Sequence, residues 1–254
     1  MSLFKTTPPK TARAHQHGDR IEVAGAPVRL RVDGRARRVS LRLDSAGREI
    51  VATAPTPRRL SEAVAFAHQR ADWIVGLIDG LPTATVLEPG RTIEMLGLSC
   101  RLDAAPGRAR LERGDDLRIV APAGPAYGRT VIRLLKAEAR RVLIARTEEY
   151  AAALGKPMPT VAITDAKARW GSCTQPRRLS LGGAEAVGRI RYSWRLVLAP
   201  YEVMDYVAAH ECAHLIEANH GPKFWALVNR LVGDERPHRK WLRANSAKLQ
   251  AFGG

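Results

Sequence analysis

The 254-residue sequence predicts an α+β protein in two parts. A small β-rich α+β domain occupies 21–125. In a second domain, 126–254, a helix packs on a small, mainly antiparallel sheet. Three observations predict this. Apolar residues recur with period two over 28–43 and again over 190–198. They switch to helical spacing over 60–78 and 129–154. The string Ala121 to Gly128 (APAGPAYG), rich in Gly and Pro, separates the two parts.

Residues 1–20 are polar, carry Pro8-Pro9 and have little to bury, so they read as a disordered tail. Val28, Leu30 and Val32 alternate with Arg29 and Arg31, and Val39, Leu41 and Leu43 alternate with Ser40 and Arg42. Both are patterns of half-buried antiparallel strands. A third strand, Glu49 to Thr53, follows a turn at Ser45-Ala46-Gly47. Leu60, Val64, Ala67, Ala71, Ile74, Val75 and Ile78 form the stripe of one helix over 60–78. Gly90, Gly97, Gly107 and Gly114 punctuate short strands over 84–122. Val131, Leu134, Leu135, Val142 and Ile144 give a long helix, about 129–154, its apolar side, and Gly155 with Pro157 ends it. Short strands follow near 160–164, near 178–181 and at 189–198. In the last, Ile190, Tyr192, Trp194, Leu196 and Leu198 face one way, and Arg191, Ser193 and Arg195 the other. Pro200 suits the first turn of a helix running to about 217. Asn219-His220-Gly221 breaks it, Pro222 opens a helix ending at Gly233, and a basic helix covers about 237–249. No internal repeat is evident.

Lys and Arg number 41 against 25 Asp and Glu, a net charge of +16 that leans towards the C-terminal half. Such a surface favours anionic partners, nucleic acid among them, or reflects a diffuse Arg-rich bias with no dedicated partner. Cys100, Cys173 and Cys212 are odd in number and far apart, which speaks against a disulfide framework and for a reducing compartment. The N-terminus lacks the apolar stretch of a secretory signal, and no run approaches membrane-spanning length. A cytoplasmic location with no membrane partner is the expectation.

The informative segment is His210-Glu211-Cys212-Ala213-His214. Histidines at i and i+4 share one helix face, a turn apart, so both imidazoles can meet one Zn2+. Glu211 points to the side of that face, where it can reach a water on the metal; this is the HExxH arrangement of zinc metalloproteases. Given the composition, about 0.01 such strings are expected by chance. A catalytic zinc needs three protein ligands and an open position. His220, at the break after the helix, is the best third ligand. Glu217, Glu185, Glu202, Asp234 and Glu235 are alternatives with weaker spacing arguments, and a solvent-exposed loop histidine is the plain alternative for His220. His15, His17, His68 and His238 read as ordinary, and Cys212 as a small buried hydrophobe.

Around this segment stand Arg169-Trp170-Gly171-Ser172-Cys173, Trp194-Arg195-Leu196, Ala199-Pro200, Asp205-Tyr206-Val207, Asn219-His220-Gly221 and Phe224-Trp225. Together they resemble the YgjP-like metallopeptidase family, relatives of the SprT-like zincins, over about 160–245. Arg37 to Arg42 and Ala71-Asp72-Trp73-Ile74 match more loosely. The resemblance implies a zincin-like metallopeptidase domain with a three-histidine zinc site. His220-Gly221-Pro222-Lys223-Phe224 matches the string that carries the third histidine in the SprT-like relatives. Cys212 and Ser193 depart from the family pattern, which often has an aliphatic residue and Asn there.

The mechanism expected is hydrolysis of a protein or peptide by a metal-activated water, with Glu211 as general base and activity falling below roughly pH 6 as imidazoles protonate. The 189–198 strand either presents an edge to an extended peptide or packs as an interior strand. Tyr192, Tyr201, Tyr206 and Arg169 are candidates for stabilising the oxyanion. Two other readings stand beside this one. In the first, the basic surface is primary and the protein is a nucleic-acid-associated zinc protein, either acting on DNA-bound proteins or binding without catalysis. Its candidate contacts are Arg177, Arg178, Arg189, Arg191, Arg236, Arg239, Lys240 and Arg243. In the second, the chain binds zinc without robust turnover.

Overall fold

The computed structural model describes residues 14–44, 48–166, 169–175 and 187–253. It is a mixed α+β structure whose contacts divide it into two compact units, Met1–Leu81 and Pro82–Gly254.

In the first unit, β1 (Arg20–Val23), β2 (Ala26–Val32), β3 (Ser40–Asp44) and β4 (Glu49–Ala54) form a sheet in the order β1-β2-β4-β3. The alternation in β2 buries Val28 and Leu30 completely and turns Arg29 outward, where its Nε donates to Glu49 at 2.6 Å. β3 and β4 are antiparallel as expected, but β2 and β4 are parallel. Period-two alternation specifies which face is buried and is silent about the direction of the neighbour. Residues ahead of β1 extend the ladder: the Gly18 amide donates to the Leu30 carbonyl and the Leu30 amide to Asp19. The part of the expected tail that is described, 14–20, therefore reaches into the sheet, because main-chain pairing does not require apolar side chains. Residues 1–13 and the turn expected at 45–47 lie outside the described residues. The single helix expected over 60–78 is two, α1 (Leu60–Gln69) and α2 (Ala71–Asp79), interrupted where Arg70 leaves helical geometry at φ −110°. The apolar stripe survives the break, with Leu60, Ala63, Ala67 and Ile74 buried against the sheet.

The second unit opens with β5 (Thr92–Met95), β6 (Leu98–Ala104), β7 (Arg110–Arg113) and β8 (Leu117–Ala121) in the order β5-β6-β8-β7, with β6 and β8 parallel. This is the topology of the first sheet again. Both sheets begin with a two-residue hairpin whose residues have positive φ, Ala24-Gly25 at 50° and 82° and Leu96-Gly97 at 53° and 81°. The strings Ile21-Glu22-Val23-Ala24-Gly25 and Ile93-Glu94-Met95-Leu96-Gly97 correspond, as do the fully buried pairs Val28 with Cys100 and Leu30 with Leu102. The chain thus contains a structural repeat that the sequence alone did not reveal, because only the hairpin and alternate core positions are shared.

The boundary expected at 125/126 falls instead at 81/82. Ile93, Met95, Leu102 and Ile119 belong to the same core as α3 (Tyr127–Ala153) and Trp194, so β5–β8 are built into the second unit. Nor does 121–128 behave as a loose linker. Ala121 and Tyr127 are buried, and the Tyr127 hydroxyl donates to the Asp103 carbonyl at 3.1 Å.

After α3 come β9 (Thr160–Thr164), β10 (Gly171–Thr174) and β11 (Arg189–Ser193), ordered β10-β11-β9. The β10 pairing is antiparallel and the β9 pairing parallel, so this sheet is mixed rather than mainly antiparallel. The strand expected near 178–181 lies outside the described residues. The strand expected over 189–198 ends at Ser193, and Trp194–Leu198 turns into a short 3-10 helix buried on every side. Arg195, assigned by alternation to the outer face, is fully buried. It donates to the Phe252 carbonyl at 3.0 and 2.8 Å and to Asp165 at 2.5 Å, while Trp194 Nε1 donates to the same carboxylate. These partners tie the C-terminal end of the chain to the core. The last helices are α4 (Tyr201–Ala213), α5 (Pro222–Val232) and α6 (Arg236–Gln250). No helix among the described residues is long and apolar enough to cross a membrane.

Replacing Arg195 with Met keeps the volume but strands the Phe252 carbonyl. The expected loss is roughly 2–4 kcal/mol of unfolding free energy. Urea denaturation measures it, and a loss below about 0.5 kcal/mol contradicts the assignment.

Candidate metal centre

The site is built on α4. Its amphipathic pattern predicts one buried face, yet Val203, Met204, Tyr206, Val207, Ala208, Ala209, Cys212 and Ala213 are all buried, as a helix enclosed on nearly all sides requires. His210 and His214, one turn apart, are partly buried, and Glu211 is buried between their face and the sheet. The helix ends earlier than the expected 217. His214 is its C-cap residue, and the last turn tightens to three-residue bonds from Leu215 to Cys212 and Ile216 to Ala213. Eight residues after His214, Pro222 starts α5. The chain between returns His220 to the other two rings.

The metal-ligating atoms of His210, His214 and His220 all lie within 4.8 Å of one another. His210 Nε2 and His220 Nε2 are 3.1 Å apart. Two nitrogens on one tetrahedral zinc, each at 2.0–2.1 Å, sit about 3.3 Å apart, so the donor set fits such an ion. The outer ring nitrogens are engaged. His214 Nδ1 donates to the Glu217 carbonyl at 2.9 Å, which leaves Nε2 with the lone pair. His210 Nδ1 is hydrogen-bonded to the Tyr206 hydroxyl at 3.3 Å, and Tyr206 in turn stacks on His238. Such outer bonds select tautomer and ring orientation. Phe224, fully buried, packs against all three imidazoles at 4.5–4.8 Å between ring centres. Trp225 Nε1 donates to the His220 carbonyl at 3.1 Å and anchors the returning loop.

Beside the imidazoles lies a pocket of about 470 Å3 whose other walls include Arg169, Gly171, Cys173 and Gln175. Gly171 on β10 sits directly on the Glu211 side chain. A Cβ there would stand 2.6 Å from Glu211 Cγ and 2.7 Å from Cδ. Only glycine lets the carboxyl occupy its place. Sequence reasoning missed this role, together with those of Tyr206, Glu217 and Trp225, although Gly171 and Trp225 belong to the strings that carry the resemblance.

The other candidates divide clearly. Glu202 is exposed at the start of α4, Asp234 pairs with Arg236 and Glu235 with Arg239, and none joins the cluster. Glu185, Arg177 and Arg178 lie outside the described residues. Of the four oxyanion candidates, Tyr192 is fully buried against Thr147, Tyr206 is bonded to His210, and Tyr201 does not line the pocket; Arg169 does. Cys212 is buried, with its sulfur 3.8 Å from the Thr147 carbonyl. The three cysteines are unpaired.

Burial, then the neighbouring His214 and His220, and then Arg239, push His210 down to about 3. His220 is lowered by burial, His214 and Arg239. These two rings are therefore neutral, as metal ligands must be, and the acid loss expected below pH 6 moves lower for them. Burial raises Glu211 to about 8, against the opposing pull of Arg169. A divalent cation alongside would favour its ionised form. In the metal-free protein the folded state keeps a proton on Glu211 that the unfolded state releases above about pH 4.5. That stabilising contribution is whole below 4.5 and is lost as pH rises to about 8. Metal-free wild type should accordingly lose on the order of 2–4 kcal/mol relative to Glu211→Gln between about pH 5 and 9. Urea unfolding of both proteins reads this difference, and parallel pH profiles contradict it.

A family model described as "YgjP-like, metallopeptidase domain" matches residues 37–245, which spans most of both units. Comparison with curated proteins finds no match, and comparison with solved structures finds none. The matched region contains the helix with His210, Glu211 and His214, the returning His220, and the strand with Gly171, and on that match the chain belongs to the YgjP-like metallopeptidase family.

Proposed function

We propose that this protein is a zinc-dependent metallopeptidase with a zincin-like catalytic domain, hydrolysing peptide bonds of a protein or peptide substrate. The observation that carries the reading is the convergence of three imidazoles beside a buried carboxyl group in an open pocket. His210, His214 and His220 would hold the ion. Zinc, when bound, supplies the Lewis acidity that activates a water and polarises a carbonyl. Glu211 accepts the proton of the attacking water and returns it to the leaving amine. Gly171, lacking a Cβ, leaves the room in which Glu211 lies against β10 beside the ligands. Arg169 faces the developing negative charge on the carbonyl oxygen.

The peptide's place is suggested by the sheet. β11, expected as a candidate edge, lies between β10 and β9, so it offers none. Among the described residues β10 is an edge, and it carries the residues that wall the pocket. A substrate running alongside β10 would pair with its main chain and bring a peptide bond past Glu211. A nucleic-acid partner is the second reading. It is favoured by α6, which contains Arg236, Arg239, Lys240, Arg243 and Lys248 and no acidic residue. A steep fall of DNA affinity with salt supports it, and a flat response removes it.

Glu211→Gln is expected to retain zinc and to lower peptide hydrolysis by about 10²–10⁴-fold. Unchanged hydrolysis in that variant removes Glu211 as the base. Gly171→Ala should also retain zinc while lowering kcat by about 10²-fold, through displacement of the carboxyl group. Metal content and turnover are measured on the same preparations, and full activity in Gly171→Ala contradicts the positioning role.

A further inference from the structure

The first unit carries a groove that the metal centre does not use. Edge strand β3 with the residues preceding it forms one wall, through Arg38, Val39 and Leu41. The end of α1 and the start of α2 form the other, through Phe66, Arg70 and Trp73. The groove encloses about 510 Å3. Trp73 is 46% exposed, the largest side chain among the exposed apolar residues of this unit.

Three features specify an occupant. First, β3 pairs only with β4, so among the described residues the outward main-chain donors and acceptors of its central residues have no partner. An alternating row of donors and acceptors beside a helix-walled cleft is what an added peptide strand requires. A phosphate backbone could use only the donors. Second, the walls are apolar and aromatic, suited to alternate side chains of an extended chain. Third, the two cations at the groove are uncommitted. Arg20, Arg29, Arg31 and Arg59 of the same unit each pair with a carboxylate, whereas Arg38 and Arg70 form no ion pair among the described residues. Arg35, Arg37, Arg42 and Arg58 of the same unit form none either, but of these unpaired arginines only Arg38 and Arg70 line the groove. Arg70 instead lies over the Phe66 ring at 5.8 Å. The chain's own N-terminal segment is a poor match by charge, since residues 1–13 carry Lys5, Lys10 and Arg13 and no acidic residue.

We infer that this groove binds an acidic, extended peptide segment of another protein, which adds to β3 as a further strand and seats apolar side chains against Phe66 and Trp73 while its carboxylates meet Arg38 and Arg70. The site is chemically independent of the histidine cluster, so its failure leaves the metallopeptidase reading intact.

Fluorescence anisotropy with a labelled peptide of alternating Glu and Leu, about eight residues long, tests this on the full chain. Saturable binding is expected. It should weaken at least about tenfold in Trp73→Ala and in the double variant Arg38→Glu with Arg70→Glu. Both sets of changes are on exposed side chains, and matching thermal melts verify the fold. The double variant should instead prefer an alternating Lys and Leu peptide. N-methylation of alternate peptide amides should abolish binding, because it removes the main-chain bonds to β3. Absence of saturable binding, binding indifferent to these variants, or Trp73-dependent binding of a thymidine oligonucleotide in place of the peptide overturns the inference.

Discussion

Everything at the candidate metal centre depends on one constraint: three imidazoles must be held together before any ion joins them. Helix periodicity brings two together, on adjacent turns of α4. The third arrives only because the helix stops at Ala213 and the chain doubles back before Pro222. Phe224 provides the floor for all three rings, and Trp225 fastens the loop by bonding the His220 carbonyl. The site is thus supported by apolar packing beneath and hydrogen bonds behind. This leaves the facing nitrogens of the three rings turned towards one another.

That arrangement works against the stability of the metal-free chain. Burial makes protonation of His210 unfavourable and ionisation of Glu211 unfavourable at once. Groups displaced in opposite directions within one pocket are characteristic of functional sites, because packing alone gives no reason to assemble them. The surroundings compensate: α4 is enclosed by core on nearly every side, and the buried Arg195 ties the C-terminal end of the chain to Asp165 and the segment after β11. A rigid scaffold is what keeps a buried polar cluster in place.

Much of the centre was legible because its determinants are local. The i, i+4 spacing of His210 and His214, the helix break and the proline at α5 are all readable along the chain. The partners that orient the ligands were not. Gly171 matters through a close approach between β10 and α4, and nothing in its own neighbourhood signals that contact. Tyr206 and Glu217 act through bonds whose geometry depends on where α4 ends. In the fold, the apolar face of each strand was legible, but the parallel pairing of β2 with β4 and β6 with β8 was not. The early boundary at 81/82 was hidden for a related reason, since the Gly- and Pro-rich string at 121–128 is a tight connection within one core. Trp194–Leu198 alternates like a strand and yet is buried all round, which no single-face pattern describes.

We propose that His210, His214 and His220 together hold one metal ion. Elemental analysis of the purified protein and of His214→Ala and His220→Ala variants tests it most directly. About one zinc per chain is expected in the wild type and near-complete loss in each variant, without loss of the folded state. Equal zinc in all three proteins, or none in the wild type after purification and zinc loading, would contradict it.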